Sequence, residues 1–196
     1  MKLNLPGHAL GLALCALSHA AGAQGHAHQH GGLRLDVAAE AGSLSLLVQS
    51  PLDNLLGFER APRTDAERRM TEAALARLKA ADTLFKIDPA AGCKLAQVTL
   101  ESAALGLGQA DAKAGAGHAD IDASFEFKCS GDSAYIDVEL FAAYPRMQTI
   151  DVQLATPRGQ FRRTLKRQST SPSTPTSTPT STPTSTPPST RLSLRP

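Results

Sequence analysis

The sequence predicts an α+β domain: a mainly antiparallel sheet of about six strands, one amphipathic helix packed on it, one disulfide and a disordered C-terminal tail. Three observations carry that prediction. Period-two alternation of apolar residues recurs along the chain, which is the pattern of half-buried strands. A single helical start signal, Thr64-Asp-Ala-Glu67, precedes one long 3.6-period stripe. After Gln168 the composition changes to a Ser/Thr/Pro repeat of period four, which cannot bury apolar surface.

The first 23 residues read as a secretory signal. Lys2 supplies the positive start, Ala9 to Leu17 the apolar stretch, and Ala21-Gly-Ala23 the small-x-small cleavage site. The apolar run is too short to span a membrane as a stable helix. Leu14 before Cys15 argues against lipoprotein processing, which wants a small residue there. Cleavage after Ala23 removes Lys2 and takes the net charge from +2 to +1. So small a charge, without a basic patch interleaved with aromatics, excludes nucleic-acid binding through a basic face.

Residues 24–32 form a histidine tract, Gln24-Gly-His26-Ala-His28-Gln-His30-Gly-Gly32, holding three of the six histidines on alternate positions. In extended backbone such side chains share a face, and imidazole is a ligand for Zn²⁺, with copper and nickel as alternatives. A floppy polar terminus with only weak metal affinity accounts for the tract equally well.

The domain proper spans 33–167. Leu33, Leu35 and Val37, then Leu44, Leu46 and Val48, alternate around a Gly-containing turn and predict a β-hairpin. Ser50 to Pro62 is a compact connector over Leu55, Leu56 and Phe58. The helix that follows is expected to run about four turns, with Met70, Ala74, Leu78 and Ala81 toward the core. Further strands are expected at Cys93 to Ser102, Ile121 to Cys129, Tyr135 to Ala142, Ile150 to Leu154 and Phe161 to Leu165. Leu105 to Gly117 has no apolar periodicity and reads as a loop.

Two features of this domain bear on chemistry. The mature chain keeps Cys93 and Cys129, an even pair in an oxidising compartment, which predicts a disulfide; two thiolates at a metal site are the alternative. In the strand before Cys129, the alternation puts His118, Asp120 and Asp122 on one solvent-facing row. An imidazole with carboxylates two and four residues away suits Zn²⁺ as ligands or as groups that orient ligands. An ordinary charged strand edge is the plainer reading. Arg191-Leu-Ser-Leu194, within the 168–196 tail, alternates again and is consistent with a return to the sheet.

The combination of the signal followed by His26-Ala-His28-Gln-His30-Gly, the Ser50-Pro51 step, and Leu56-Gly-Phe-Glu-Arg-Ala-Pro-Arg-Thr64 resembles the ZrgA-type family of periplasmic zinc-binding proteins. The Gly92-Cys93 pair, His118-Ala-Asp120-Ile-Asp122 leading to Cys129, and Phe141 to Pro145 extend the resemblance from about His26 to Leu165. It implies zinc binding in the periplasm and assistance to an ABC-type zinc importer. By match to the family, His26, His28, His30, His118 and Asp120 are the expected ligands, with the Asp122 and Glu59 carboxylates behind them. Two departures stand out: Arg60 occupies a place where the family often has His, and Gly108 to Gly117 replaces a longer His/Asp/Glu-rich loop. One site is therefore expected, not a high-capacity store.

Other function classes fit less well. No Gly-x-Ser-x-Gly elbow and no His-Glu-x-x-His helix supports a hydrolase, so the chain is read as non-enzymatic. An exported protein-interaction module with incidental metal binding is the alternative from a different class. Oligomeric state is open at this level.

Overall fold

A computed structural model describes residues 31–108, 119–168 and 190–194. The expected signal segment, His26, His28 and His30 of the histidine tract, His118 and residues 169–189 of the Ser/Thr/Pro tail lie outside the described residues.

Strands β1 (Gly32–Glu40) and β2 (Ser43–Pro51) form the expected hairpin, with Leu35 opposite Val48 and Val37 opposite Leu46. The remaining strands of the main sheet are β4 (Lys94–Glu101), β5 (Asp120–Lys128), β7 (Thr149–Thr156) and β8 (Gly159–Lys166). Their order is β4-β5-β2-β1-β7-β8. The sheet is mainly antiparallel, as expected, but not purely so: β1 and β7 run parallel, Leu33 beside Ile150. Ile150, Val152 and Leu154 alternate as any half-buried strand would, so their pattern does not declare the direction of the neighbour.

A second, smaller sheet orders β3 (Phe85–Ile87), β6 (Tyr135–Val138) and β9 (Arg191–Ser193). The strand expected to run from Tyr135 to Ala142 stops at Val138, because the chain turns into the short helix α4 (Leu140–Ala143). The other α-helices are α1 (Leu52–Leu56), α2 (Asp65–Lys79) and α3 (Ala81–Leu84), beside two short 3-10 turns at Pro89–Ala91 and Ala103–Leu105.

Inward residues of the main sheet pack into one core with the helices and the small sheet: Leu35, Leu46, Phe125 and Val152 meet Leu52, Leu78, Leu84, Phe85 and Ile136. Phe85 and Phe125 touch edge-to-face with ring centroids 5.2 Å apart. Helix α2 starts where the sequence placed it. The Thr64 hydroxyl accepts from the Glu67 amide at 3.1 Å, and the Glu67 carboxylate accepts from the Arg63 and Thr64 amides. Ala74, Leu78 and Ala81 are buried as expected, and only Met70 departs from the expected face. Thr71 is buried as well, whereas Met70 is 50% exposed, and Ala81 belongs to α3.

Cys93 and Cys129 are joined in a disulfide that continues the β4–β5 register one pair beyond Lys94 and Lys128. It excludes thiolate ligation by these two residues. The last described segment returns, as its alternation suggested, but to the small sheet: Leu192 and Leu194 are 1% and 5% exposed. Burying two leucines is worth about 3–6 kcal/mol. Ordering the five residues 190–194 costs about 5–10 kcal/mol of backbone entropy. A few hydrogen bonds at about 1 kcal/mol each leave the attachment of β9 close to balanced.

Candidate metal centre

The antiparallel registers bring four strand ends to one edge of the main sheet. Asp120 at the start of β5 faces Pro51 at the end of β2, and Asp122 lies between Gln49 of β2 and Glu101 of β4. Gln49 in turn faces Arg34 of β1, so β1 also begins at this edge.

The backbone is pinned at both points where the histidine-bearing segments enter. Asn54, on α1 and 1% exposed, accepts from the Gly31 amide at 2.9 Å and donates to the Gly32 carbonyl at 2.6 Å and the Ser50 hydroxyl at 3.1 Å. The Gly31 carbonyl accepts from the Gln148 and Thr149 amides. Gly31 has φ +79°, and a Cβ there would lie 3.0 Å from Gln148 Cγ, so both conformation and space favour glycine. On β5, the Ala119 carbonyl accepts from the Leu52 amide at 2.8 Å and the Asp120 carbonyl from the Ser102 hydroxyl at 2.7 Å. His30 precedes Gly31 in sequence, and His118 precedes Ala119.

Asp120 and Asp122 share the outer face of β5, opposite the buried Ile121. Burial pushes the Asp122 carboxyl above its ordinary range. The Gln49 amide, which hydrogen-bonds it, draws it back, and the charges of Asp120 and Glu101 raise it further. A cation at this edge would relieve that repulsion. Oxygen ligands alone are a poor match to Zn²⁺, which is usually held with nitrogen or sulfur. Among the described residues there is no histidine, and no group of three His, Cys, Asp or Glu side chains that could hold a metal. The carboxylates fit zinc only as a partial set that histidines must complete.

The structure thus brings Asp120 and Asp122 together, and Glu59 does not join them in a three-ligand group among the described residues. Glu59 is exposed, beyond the left-handed Gly57 that ends α1. His26, His28, His30 and His118 lie outside the described residues. Arg60 is committed elsewhere: its guanidinium pairs with both oxygens of Glu67 at 2.9 and 2.8 Å and lies 4.9 Å from the centre of the Phe58 ring.

Sequence reasoning passed over Glu101, Gln49 and Asn54. Glu101 closes a strand whose neighbour becomes known only with the register. Asn54 follows the Ser50-Pro51 step and could be noticed as a polar residue between Leu52 and Leu55.

Taken together, the chain is a disulfide-pinned mixed-sheet domain whose candidate site is an acidic sheet edge. The family model for the ZrgA family zinc uptake protein matches residues 27–173, and the chain belongs to that family. No curated protein matches it. No helix among the described residues is long and apolar enough to cross a membrane.

Proposed function

We propose that this chain is an exported, periplasmic, non-enzymatic protein that binds Zn²⁺ and buffers it or assists its delivery to an ABC-type zinc importer. His26, His28, His30, His118 and Asp120 are the ligands in this reading, and Asp122 and Glu59 orient them or balance charge. Family membership supports zinc as the cargo. The observation that carries the site is the common level of Gly31 and Ala119: each falls beside Leu52 when the β1–β2 register is continued by three residues and the β2–β5 register by one. Two strand spacings, about 10 Å, separate them. The segments bearing His30 and His118 therefore leave the sheet from neighbouring points beside Asp120. Such an open edge suits transfer, because ligands can detach one at a time.

The test is a competitive zinc titration of the mature full chain beside two variants, His26→Ala/His28→Ala/His30→Ala and His118→Ala/Asp120→Ala. One equivalent should bind, and each variant should lose about 100-fold or more in affinity. Affinity no better than a free histidine peptide, with no effect of the second variant, overturns the reading.

A further inference from the structure

We infer that the outer edge of β6 is a strand-acceptor site, filled here by the chain's own β9, and that the partner it fits in trans is the C-terminal strand of a second copy. The register is Tyr135 opposite Ser193, Ile136 opposite Leu192 and Asp137 opposite Arg191. The Leu194 amide donates to the Ala134 carbonyl at 2.9 Å and the Val138 amide to the Thr190 carbonyl at 3.3 Å.

Specificity comes from the side chains. Arg191 holds both oxygens of Asp137 at 2.7 and 2.8 Å, with its guanidinium 3.8 Å from the Tyr135 ring centre. Leu192 and Leu194 drop into the core. Main-chain pairing for affinity and alternate side chains for selectivity define recognition by strand addition, here for the pattern Arg-Leu-x-Leu.

Three facts make the occupant exchangeable. The strand has only three residues, and its gain on burial is offset by the cost of ordering it. It lies beyond residue 173, where the family match ends. Residues 169–189, which connect it to the domain, have a contour length of about 70 Å, enough to reach another molecule. Exchange replaces each contact by an identical one from the partner, so its net cost is low. Leu194 also sits beside Cys129, Gly131 and the β1–β2 turn, at the end of the sheet away from the acidic edge. The inference is independent of zinc binding.

The test uses two full-length single-cysteine additions, Tyr135→Cys and Ser193→Cys. The hydrogen bonds place this pair at a non-hydrogen-bonded position, where side chains approach most closely. The two proteins are mixed over roughly 10 µM to 1 mM, because closure in cis competes at an effective concentration of order mM. Heterodimers linked through these cysteines should increase with concentration, exceed those formed when Lys94→Cys replaces Tyr135→Cys, and fall several-fold with an excess of the peptide Thr-Arg-Leu-Ser-Leu. A double variant carrying both cysteines should close within one chain. Intrachain closure without heterodimers at the highest concentration overturns the exchange, and failure of the double variant to close overturns the acceptor site itself.

Discussion

Arg60 and Glu67 meet in a two-pronged ion pair, Nη1 to Oε2 at 2.9 Å and Nη2 to Oε1 at 2.8 Å, and the same carboxylate receives the amides that open α2. Arg60 therefore does not await a metal; it completes a helix cap. Its hydrogen bonds, with those from the Arg63 and Thr64 amides, hold the Glu67 carboxyl down to about 2.

A depressed acid stabilises the fold above its unfolded value and loses that contribution as pH falls through its folded value. The contribution of Glu67 is thus intact above about pH 4.5 and lost toward pH 2. Glu67→Gln should be less stable than the parent at neutral pH, and the gap should narrow below pH 4. Thermal unfolding at stepped pH measures it. A separate change, Thr64→Ala, should cost about 1 kcal/mol at pH 7.

Asn54→Ala removes the partner of the buried Gly31 amide and the half-buried Gly32 carbonyl. Each stranded group costs about 1–3 kcal/mol, so a loss of roughly 2–6 kcal/mol in urea unfolding is expected. Zinc affinity should fall with it, since the anchor of the segment bearing His30 is gone. A variant as stable as the parent would show that water replaces the amide without loss.

Asp122 makes the opposite prediction for the metal-free protein. Its carboxyl is raised, so the folded state disfavours the charged form, and the penalty is present at pH values above its folded value. Asp122→Asn should raise the melting temperature of the zinc-free chain at pH 7 while weakening zinc binding about tenfold or more. Parallel melting curves with chelator and with zinc separate the two effects.

Reduction of the Cys93–Cys129 bridge should cost about 4 kcal/mol for a loop of this length. The bridge closes the far end of the β4–β5 pair from Glu101 and Asp120, a strand length of about 26 Å away. Under conditions where the reduced chain stays folded, zinc stoichiometry should be unchanged. A second equivalent bound only after reduction would show that the free thiols form a site of their own.

Local signals in the sequence proved the most readable. The alternation in Leu33 to Val48 gives the first hairpin, and the side chains of Thr64 and Glu67 give the start of α2 to the residue, because both depend on neighbours in sequence. Met70 misled because the first buried position of α2 is Thr71, ahead of the expected Ala74 and Leu78, and the Thr71 hydroxyl is satisfied by the Glu67 carbonyl. The parallel neighbour of β1 was not legible, nor was the turn at Leu140, whose spacing continues that of Ile136 and Val138. The same division holds at the candidate site. The shared face of Asp120 and Asp122 follows from period two, whereas Glu101 and Gln49 join them only through strand order.

The parallel contact between β1 and β7 also sets a sequence of events. The β1–β2 hairpin can close locally within microseconds, but the Gly31 carbonyl finds its donors only when Gln148 and Thr149 arrive from late in the chain. Contacts of such separation form late, because loop closure precedes their reward. The acidic edge and the pinned entry beside it are thus products of a finished fold. A half-folded chain carries the same side chains with no assembled edge, so in the proposed function zinc loading waits on the completion of folding.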